Sequence, residues 1–541
     1  MKVLPQVMGG ENEYALAAQD ARGRPVSQDD LAAMVVHRLA DDQPTLVDCS
    51  GGVFLANGAR CYVDCGQHPE YSTPECTDPR DVVRHIKAGE RLLCAAAKQV
   101  EQNACGVQLS LFRTNVDHSG SGATWGAHES YMHGTHVNTQ ALVRNLLPHL
   151  ISRVIYTGAG GFDPTSRGLR FMLSPRALFF EQAVSSASTE NRGIFHTKDE
   201  SLASPGLQRL HVLCGESLGS ATSAVLKFGT TALVVRLIDQ GFHLGIWLEP
   251  KDPVDAYHQV ARDITLGKPI ELLDGGRMTA LQMQQHYLRE VSRRLGEPYM
   301  PGWAEAVCRL WSDTLAALEQ GLEAVVTRLD WAMRYALFMD RAERVGLDWS
   351  RVALWTETLD EVTLTARMDD APPTDERDLV AQLVGLRRHA RLPGWPSREW
   401  QEADEALSGR EGRVFLQQRN ALLEVDLRFG QLGDEGLLSV LERSGHLAHD
   451  VGGVDRITEA MSLPPTDTRA QLRGSLIRRL SSQAQGPLIC GWDAIWNRGT
   501  GKVLDLSSPF ENEERWRRMT PQEERAFRYR GGGVRGAAAG A

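Results

Sequence analysis

Residues 3–17 read as a strand in which a polar centre lies between apolar stretches. Inside it, Gly9-Gly10-Glu11-Asn12-Glu13-Tyr14 places two carboxylates two positions apart. Strand side chains point alternately to opposite faces, so Glu11 and Glu13 share one. The period then lengthens. Leu31, Met34, Val35 and Leu39 fit one helical face, with Ser27 as N-cap and Asp30 three residues on. Residues 54–65 read as a second strand. Asp78-Pro79 opens a long helix to about Val100, because proline suits the first helical position. Residues 107–115 alternate and predict a strand, and 120–126 a flexible loop. Further helices are predicted over 136–152, 218–241, 279–296 and 303–326, with strands around 169–174 and 209–214. Strands bearing polar clusters between long helices point to an α+β or mixed α/β enzyme.

Texture changes over 366–425, where Ala371-Pro372-Pro373 precedes charged segments with Trp395 and Trp400, as expected of an inserted helical element. Residues 531–541, rich in Gly and Ala, are expected to be disordered.

Composition narrows the class. A chain of 541 residues with 42% apolar content can bury a large core. The net charge of −10 argues against a broad nucleic-acid footprint, which needs a basic face. The start carries no signal-peptide pattern, and apolar runs such as 231–235 fall far short of the ~20 residues that cross a bilayer. No membrane association and a cytoplasmic location are therefore expected. Nine cysteines are scattered; the closest set, Cys61, Cys65 and Cys76, lacks zinc spacing and predicts core thiols.

Two further clusters carry chemistry. In residues 57–76, Arg60, Tyr62 and Asp64 share one strand face and Cys61, Val63 and Cys65 face the core. Glu70 and Glu75 follow in a proline-punctuated loop that can fold over the equipped face. Oxygen donors Glu11, Tyr62 and Glu70 suit Mg²⁺ with a substrate phosphate, and Arg60 suits a phosphate; the alternative is Arg60 pairing Asp64 on an exposed sheet. The third cluster, Thr114 to His118, then His128-Glu129 on a return strand, suits a substrate-side shell.

The runs GENEY, NGARCYVDCGQHPEYSTPECTDP, NVDHSGSGATWGAHESY, RLHVLCGESLGSATSAVLKFGTTALV and PPTDTRAQLRG resemble successive signatures of the Pup ligase/depupylase family, in its order, with a weaker match over 491–510. The resemblance implies a glutamine-synthetase-like α+β fold. Its catalytic part, residues 1–478, would form a curved antiparallel sheet cradle backed by helices, and residues 479–541 a small C-terminal domain. It also implies ATP and Mg²⁺ as cofactors, and a small Pup-like modifier and lysine-bearing proteins as partners. By the same resemblance Glu11, Tyr62 and Glu70 match metal ligands, Arg60, Thr73 and Trp492 nucleotide contacts, and Asp64 the catalytic aspartate. Trp496 is close enough to compete with Trp492. Glu13, His128, Glu129, Lys198, Arg469 and Arg473 are candidate substrate or phosphate contacts. Arg469 and Arg473 share a helical face, suited to an anionic ligand or a structural acid.

Family members either join the modifier to lysine or cleave that isopeptide bond. Depupylases resemble the ligases but carry a long loop between the first carboxylate strand and the NGAR strand. Only 48 residues lie between Glu11 and Arg60 here, which favours the ligase; the wording of residues 465–469 favours the depupylase. Lys198 stands where the family has arginine, and lysine cannot reproduce a bidentate clamp, which leaves the modifier's identity open.

Overall fold

The computed structural model describes residues 4–24, 26, 31–103, 106–117, 123–166, 168–186, 191–197, 202–353, 355–356, 410–448, 451, 454–481 and 488–524. Ser27, Asp30, His118, Lys198, most of 366–425 and the 531–541 tail lie outside these residues.

Nine strands form the main sheet. From one edge to the other they are Gln182–Ser185, Gly193–Thr197, Leu207–Val212, Ala127–Gly134, Met8–Glu13, Pro69–Ser72, Arg60–Val63, Val53–Leu55 and Thr45–Val47. Every neighbouring pair is antiparallel except the first, which is parallel. Strict alternation holds at the centre. Met8, Gly10 and Asn12 are buried while Gly9, Glu11 and Glu13 are half-buried, and Ala127–Gly134 repeats the pattern.

Helices Pro79–Asn103 and Ala221–Asp239 cover the buried face. The first starts at proline with Asp81 in its first turn, where an acid complements the helix dipole. The second begins where the Ser220 side chain accepts from the Ser223 amide. It is long and apolar enough to resemble a membrane span, which the short 231–235 run did not suggest, yet 94% of that stretch is buried within the protein. Its approach explains Gly10: a Cβ there would lie 2.9 Å from the Phe228 ring and 3.2 Å from Ile86. Gly10→Ala is expected to cost about 1–3 kcal/mol through overpacking, measured by urea unfolding.

Several elements differ from the sequence expectation for local reasons. The strand expected over 3–17 divides at buried Tyr14, and Ala15–Asp20 leaves the main sheet to pair with Val107–Phe112. The strand expected over 54–65 is a hairpin closed by Asn57-Gly58, with Gly58 at φ +82°. Asn-Gly is a strong hairpin signal, and it was legible. Because strand Arg60–Val63 stops at Val63, Cys65 falls in the following turn and is exposed rather than core-facing. Glu70 sits on strand Pro69–Ser72, not in a loop: Pro69 begins the strand, where its missing amide does no harm. The helix expected over 136–152 breaks into Thr139–Asn145 and Leu147–Ser152 near Pro148. The one expected over 303–326 breaks at Gly321, φ +111°. Helix Arg410–Gly430, which contains the described part of the expected insertion and runs past its end, buries Phe415 and Leu422 with Phe338 and Trp355.

Beyond helix Arg469–Ser481, strands Leu488–Cys490, Ala494–Asn497, Lys502–Asp505 and Trp516–Arg518 make a small antiparallel sheet. Its Cys490, Ile495 and Leu504 share a core with Leu46 and Phe54 at the main sheet's edge and with Leu476 and Ile477 of the helix.

Candidate active site

Register brings the equipped residues together. Glu11 pairs with Ser72 on one side and His128 on the other, Glu13 pairs with Glu70, and Tyr62 and Arg60 pair with Glu70 and Ser72. Directly opposed residues share a face, so strands from three segments present these groups on the open side. The Tyr62 hydroxyl donates to Glu11 at 2.5 Å and the Ser72 hydroxyl at 3.4 Å, while His128 Nδ1 lies 3.7 Å from the other Glu11 oxygen. His211, which the motifs did not single out, stands 5.1 Å from the His128 ring. Its signal was the parity of strand Leu207–Val212, which sets it opposite Ser130.

Charge is crowded here. Burial pushes the Glu70 carboxyl well above the usual carboxylate range, and the charges of Glu11 and Glu13 push it further against the Tyr62 hydrogen bond. Burial also raises Glu11, but the His128 bond, the His211 and His128 charges and the Tyr62 bond together hold it well below that range. Two carboxylates and a phenol on adjacent strands form an oxygen donor set whose repulsion a divalent cation relieves. The residues present therefore fit Mg²⁺ at Glu11, Tyr62 and Glu70. Glu11, His128 and His211 also bring ligand atoms within 4.8 Å of one another.

A second group lies one step along the same face, where Glu13, Asp64 and His68 approach within 4.8 Å. Asp64 Oδ1 accepts from the His68 amide at 2.6 Å and Oδ2 faces His68 Nδ1 at 3.3 Å. Gln67 at φ +63° closes that turn. Glu13 is oriented by the Gly126 amide at 2.7 Å.

Beside Glu11 opens a cleft lined by Gly9, Glu11, Thr73, Arg469, Trp492 and Pro509 among others. Thr73 Oγ1 accepts from the Gly10 amide at 3.0 Å. Trp492 lines this cleft, whereas Trp496 lines a separate recess with Cys49 and Val503. Arg60, Tyr62, Asp64 and Glu70 lie past Glu11 on the open face, outside the cleft walls.

Geometry decides three points. Arg60 pairs with Asp48 at 2.6 Å and lies 3.9 Å over the Tyr62 ring, so its acid is not Asp64. Glu129 is fully buried on the helical face, one position out of phase with His128, and cannot touch a substrate on the open side. Arg469 and Arg473 close on the Glu75 carboxylate, the structural acid among the alternatives.

Burial raises the Glu75 carboxyl, yet Arg473 and Arg469 hold it down to about 2, against 4.5 when unperturbed. A carboxyl depressed on folding stabilises the protein above its unfolded pKa and loses that stabilisation as pH falls toward the folded one, here roughly 3 kcal/mol. Glu75→Gln is expected to be less stable than wild type at pH 7, with the difference shrinking between pH 4.5 and 2. Urea unfolding across that window checks it, and a constant difference contradicts it.

The architecture is a glutamine-synthetase-like cradle, mostly antiparallel, with a small C-terminal sheet at its edge, and two solved structures share it. The complex of the prokaryotic ubiquitin-like protein Pup with its ligase PafA aligns at TM-score 0.71 and 25% identity, covering 97% of this chain and 91% of that one. The Pup ligase PafA with ADP aligns at TM-score 0.65 and 26% identity, over 88% and 90%. The sequence matches the Pup-ligase protein family over residues 6–362 and 399–496, and the unmatched 363–398 overlaps the expected insertion. This chain belongs to the Pup-ligase protein family. Curated relatives include the Pup deamidase/depupylase of Mycolicibacterium smegmatis, 31% identical over 485 residues, 88% of this chain and 80% of the relative. A depupylase of Acidothermus cellulolyticus is 36% identical over 338 residues, 61% of this chain and 65% of the relative.

Proposed function

We propose that this protein is a Mg-ATP-dependent ligase that joins the side-chain carboxylate of a terminal glutamate on a small Pup-like modifier to lysines of target proteins. The observation that carries the reading is the convergence of Glu11, Tyr62 and Glu70 on one face, between the cleft and Asp64. A carboxylate is a poor acyl donor until phosphorylated, and Mg²⁺ bound by the three oxygen donors supplies screening of the phosphates. In this reading Arg60 and Thr73 contact the nucleotide and Trp492 covers its base. Asp64 takes the proton of the attacking lysine, so that the amide forms as phosphate leaves.

A second reading, hydrolysis of the isopeptide bond or deamidation of a terminal glutamine, is favoured by the names of the curated relatives. Against it stands the connection from Glu11 to Arg60. Strand Ala15–Asp20, helix Leu31–Asp42 and strands Thr45–Val47 and Val53–Leu55 occupy half of it, with little room for a long depupylase loop. Lys198, where the family has arginine, supports a modifier that departs from the usual one.

Purified protein with Mg-ATP, a glutamate-ended modifier and a lysine-bearing protein is expected to release ADP and yield a conjugate. Release of modifier from a preformed conjugate, with no conjugate formed from free modifier, would replace the ligase by the second reading.

A further inference from the structure

Arg473 is fully buried, yet it reaches four parts of the chain. It forks onto Glu75, donates to the Gly58 carbonyl of the Asn-Gly turn at 3.0 Å and donates to the Trp492 carbonyl at 3.1 Å. Its guanidinium also sits 4.9 Å from the Trp492 ring and 5.5 Å from that of Phe54. Phe54 in turn meets Trp492 edge-on at 5.0 Å. Arg469, one turn earlier, donates to Glu75 at 2.7 Å and to the Leu202 and Leu506 carbonyls at 2.7 Å each. Its amide bonds the Pro509 carbonyl at 2.8 Å. Thr468 caps the arrangement by donating to the Glu75 carbonyl at 2.8 Å.

One carboxylate, three residues past strand Pro69–Ser72, therefore holds two arginines that between them grip the backbone on both sides of the cleft. Gly58 lies two residues before Arg60, and Trp492, Leu506 and Pro509 belong to the small C-terminal sheet and its exit. Guanidinium suits the task because its planar fork can bind a carboxylate and a carbonyl at once while its face lies against an aromatic ring. A lysine keeps the charge but not the fork.

We propose that Glu75, Arg469 and Arg473 form a positioning clamp that fixes Trp492 and the edge of the C-terminal sheet against the cleft, so that the nucleotide meets a preformed wall. The clamp deepens the nucleotide reading above and rests on it. It touches neither the metal donors nor Asp64, so its loss falls on nucleotide affinity rather than on the chemical step.

The test is a double-mutant cycle on Mg-ADP affinity by calorimetry, with KM and kcat for ATP measured in the conjugation assay. Arg473→Lys and Trp492→Phe are each expected to weaken Mg-ADP by about ten-fold, the size of a lost base–aromatic contact. The double variant is expected to be no weaker than the worse single, because both act through one ring. KM for ATP should rise with kcat within about two-fold of wild type. Unchanged affinity in Arg473→Lys, or full additivity with Trp492→Phe, would overturn the clamp. Arg469→Lys keeps the charge at a less enclosed position and decides the matter should Arg473→Lys not fold: a raised KM supports the clamp and an unchanged KM overturns it. A wild-type protein that binds no Mg-ADP would fell the nucleotide reading itself. Wild-type binding with a neutral Arg473→Lys fells the clamp alone.

Discussion

Asp64→Asn is expected to lower turnover by about 10²–10⁴-fold, the usual worth of a positioned general base, with Mg-ADP affinity within about two-fold of wild type. The substitution preserves shape. Oδ1 keeps its hydrogen bond from the His68 amide, which fixes the side chain in its turn. What disappears is the oxygen facing Glu13 and His68 as a proton acceptor. Of the proposed metal donors, Glu11 and Glu70 sit on other strands, and Tyr62, on the strand that leads into Asp64, is held by its own hydroxyl bond to Glu11, so nucleotide binding has no reason to fall with it. Steady-state conjugation and calorimetry, run on one preparation, separate the two quantities. Turnover within about ten-fold of wild type would remove Asp64 from the proton-transfer role.

The largest stability effect is expected behind the sheet. Arg153 binds both oxygens of Glu129, at 2.8 and 2.6 Å, and also donates to Thr231 at 2.5 Å. Tyr131 donates to the same carboxylate at 2.5 Å. Lys227 lies 3.9 Å from Glu129 and donates to the Ala127 and Glu216 carbonyls at 3.0 and 2.9 Å. Burial pulls the Lys227 ammonium down to about 8 against the favourable Glu129 charge, so it is a weak substitute for the guanidinium. Arg153→Met strands a buried carboxylate and is expected to cost about 3–5 kcal/mol. Replacing both partners, Arg153→Met with Glu129→Leu, should recover part of that loss, because the carboxylate leaves with the guanidinium and the Lys227 ammonium keeps the Ala127 and Glu216 carbonyls as acceptors. Urea denaturation of the single and double variants measures both. A loss below about 1 kcal/mol in the single variant would show that Glu129 is satisfied without Arg153.

The contrast between these two sites shows what a sequence can carry. Glu11 and Glu13 on one face, and Arg60 with Tyr62 on another strand's face, follow from two-residue periodicity alone, and the open side contains all four. Which of His128 and Glu129 joined them depended on register against Met8–Glu13, a long-range choice that adjacent residues do not encode. The buried neighbours Ala127 and Tyr131 have the parity of Glu129 and were the available hint. Its partners Arg153 and Lys227 come from distant helical segments, and nothing local announces them. Asp48 likewise reaches Arg60 from beyond the hairpin, where Asp64 was nearer in sequence. Glu75 was legible as an acid, and Arg469 and Arg473 as a pair, but their meeting required the fold.

A crystal structure grown with Mg-ADP tests the central arrangement most directly. The expected result is a divalent ion at roughly 2.0–2.1 Å from oxygens of Glu11, Tyr62 and Glu70, the nucleotide base against Trp492, and Asp64 unligated. An ion held elsewhere, or a nucleotide bound away from the Gly9–Thr73–Trp492 cleft, would contradict it.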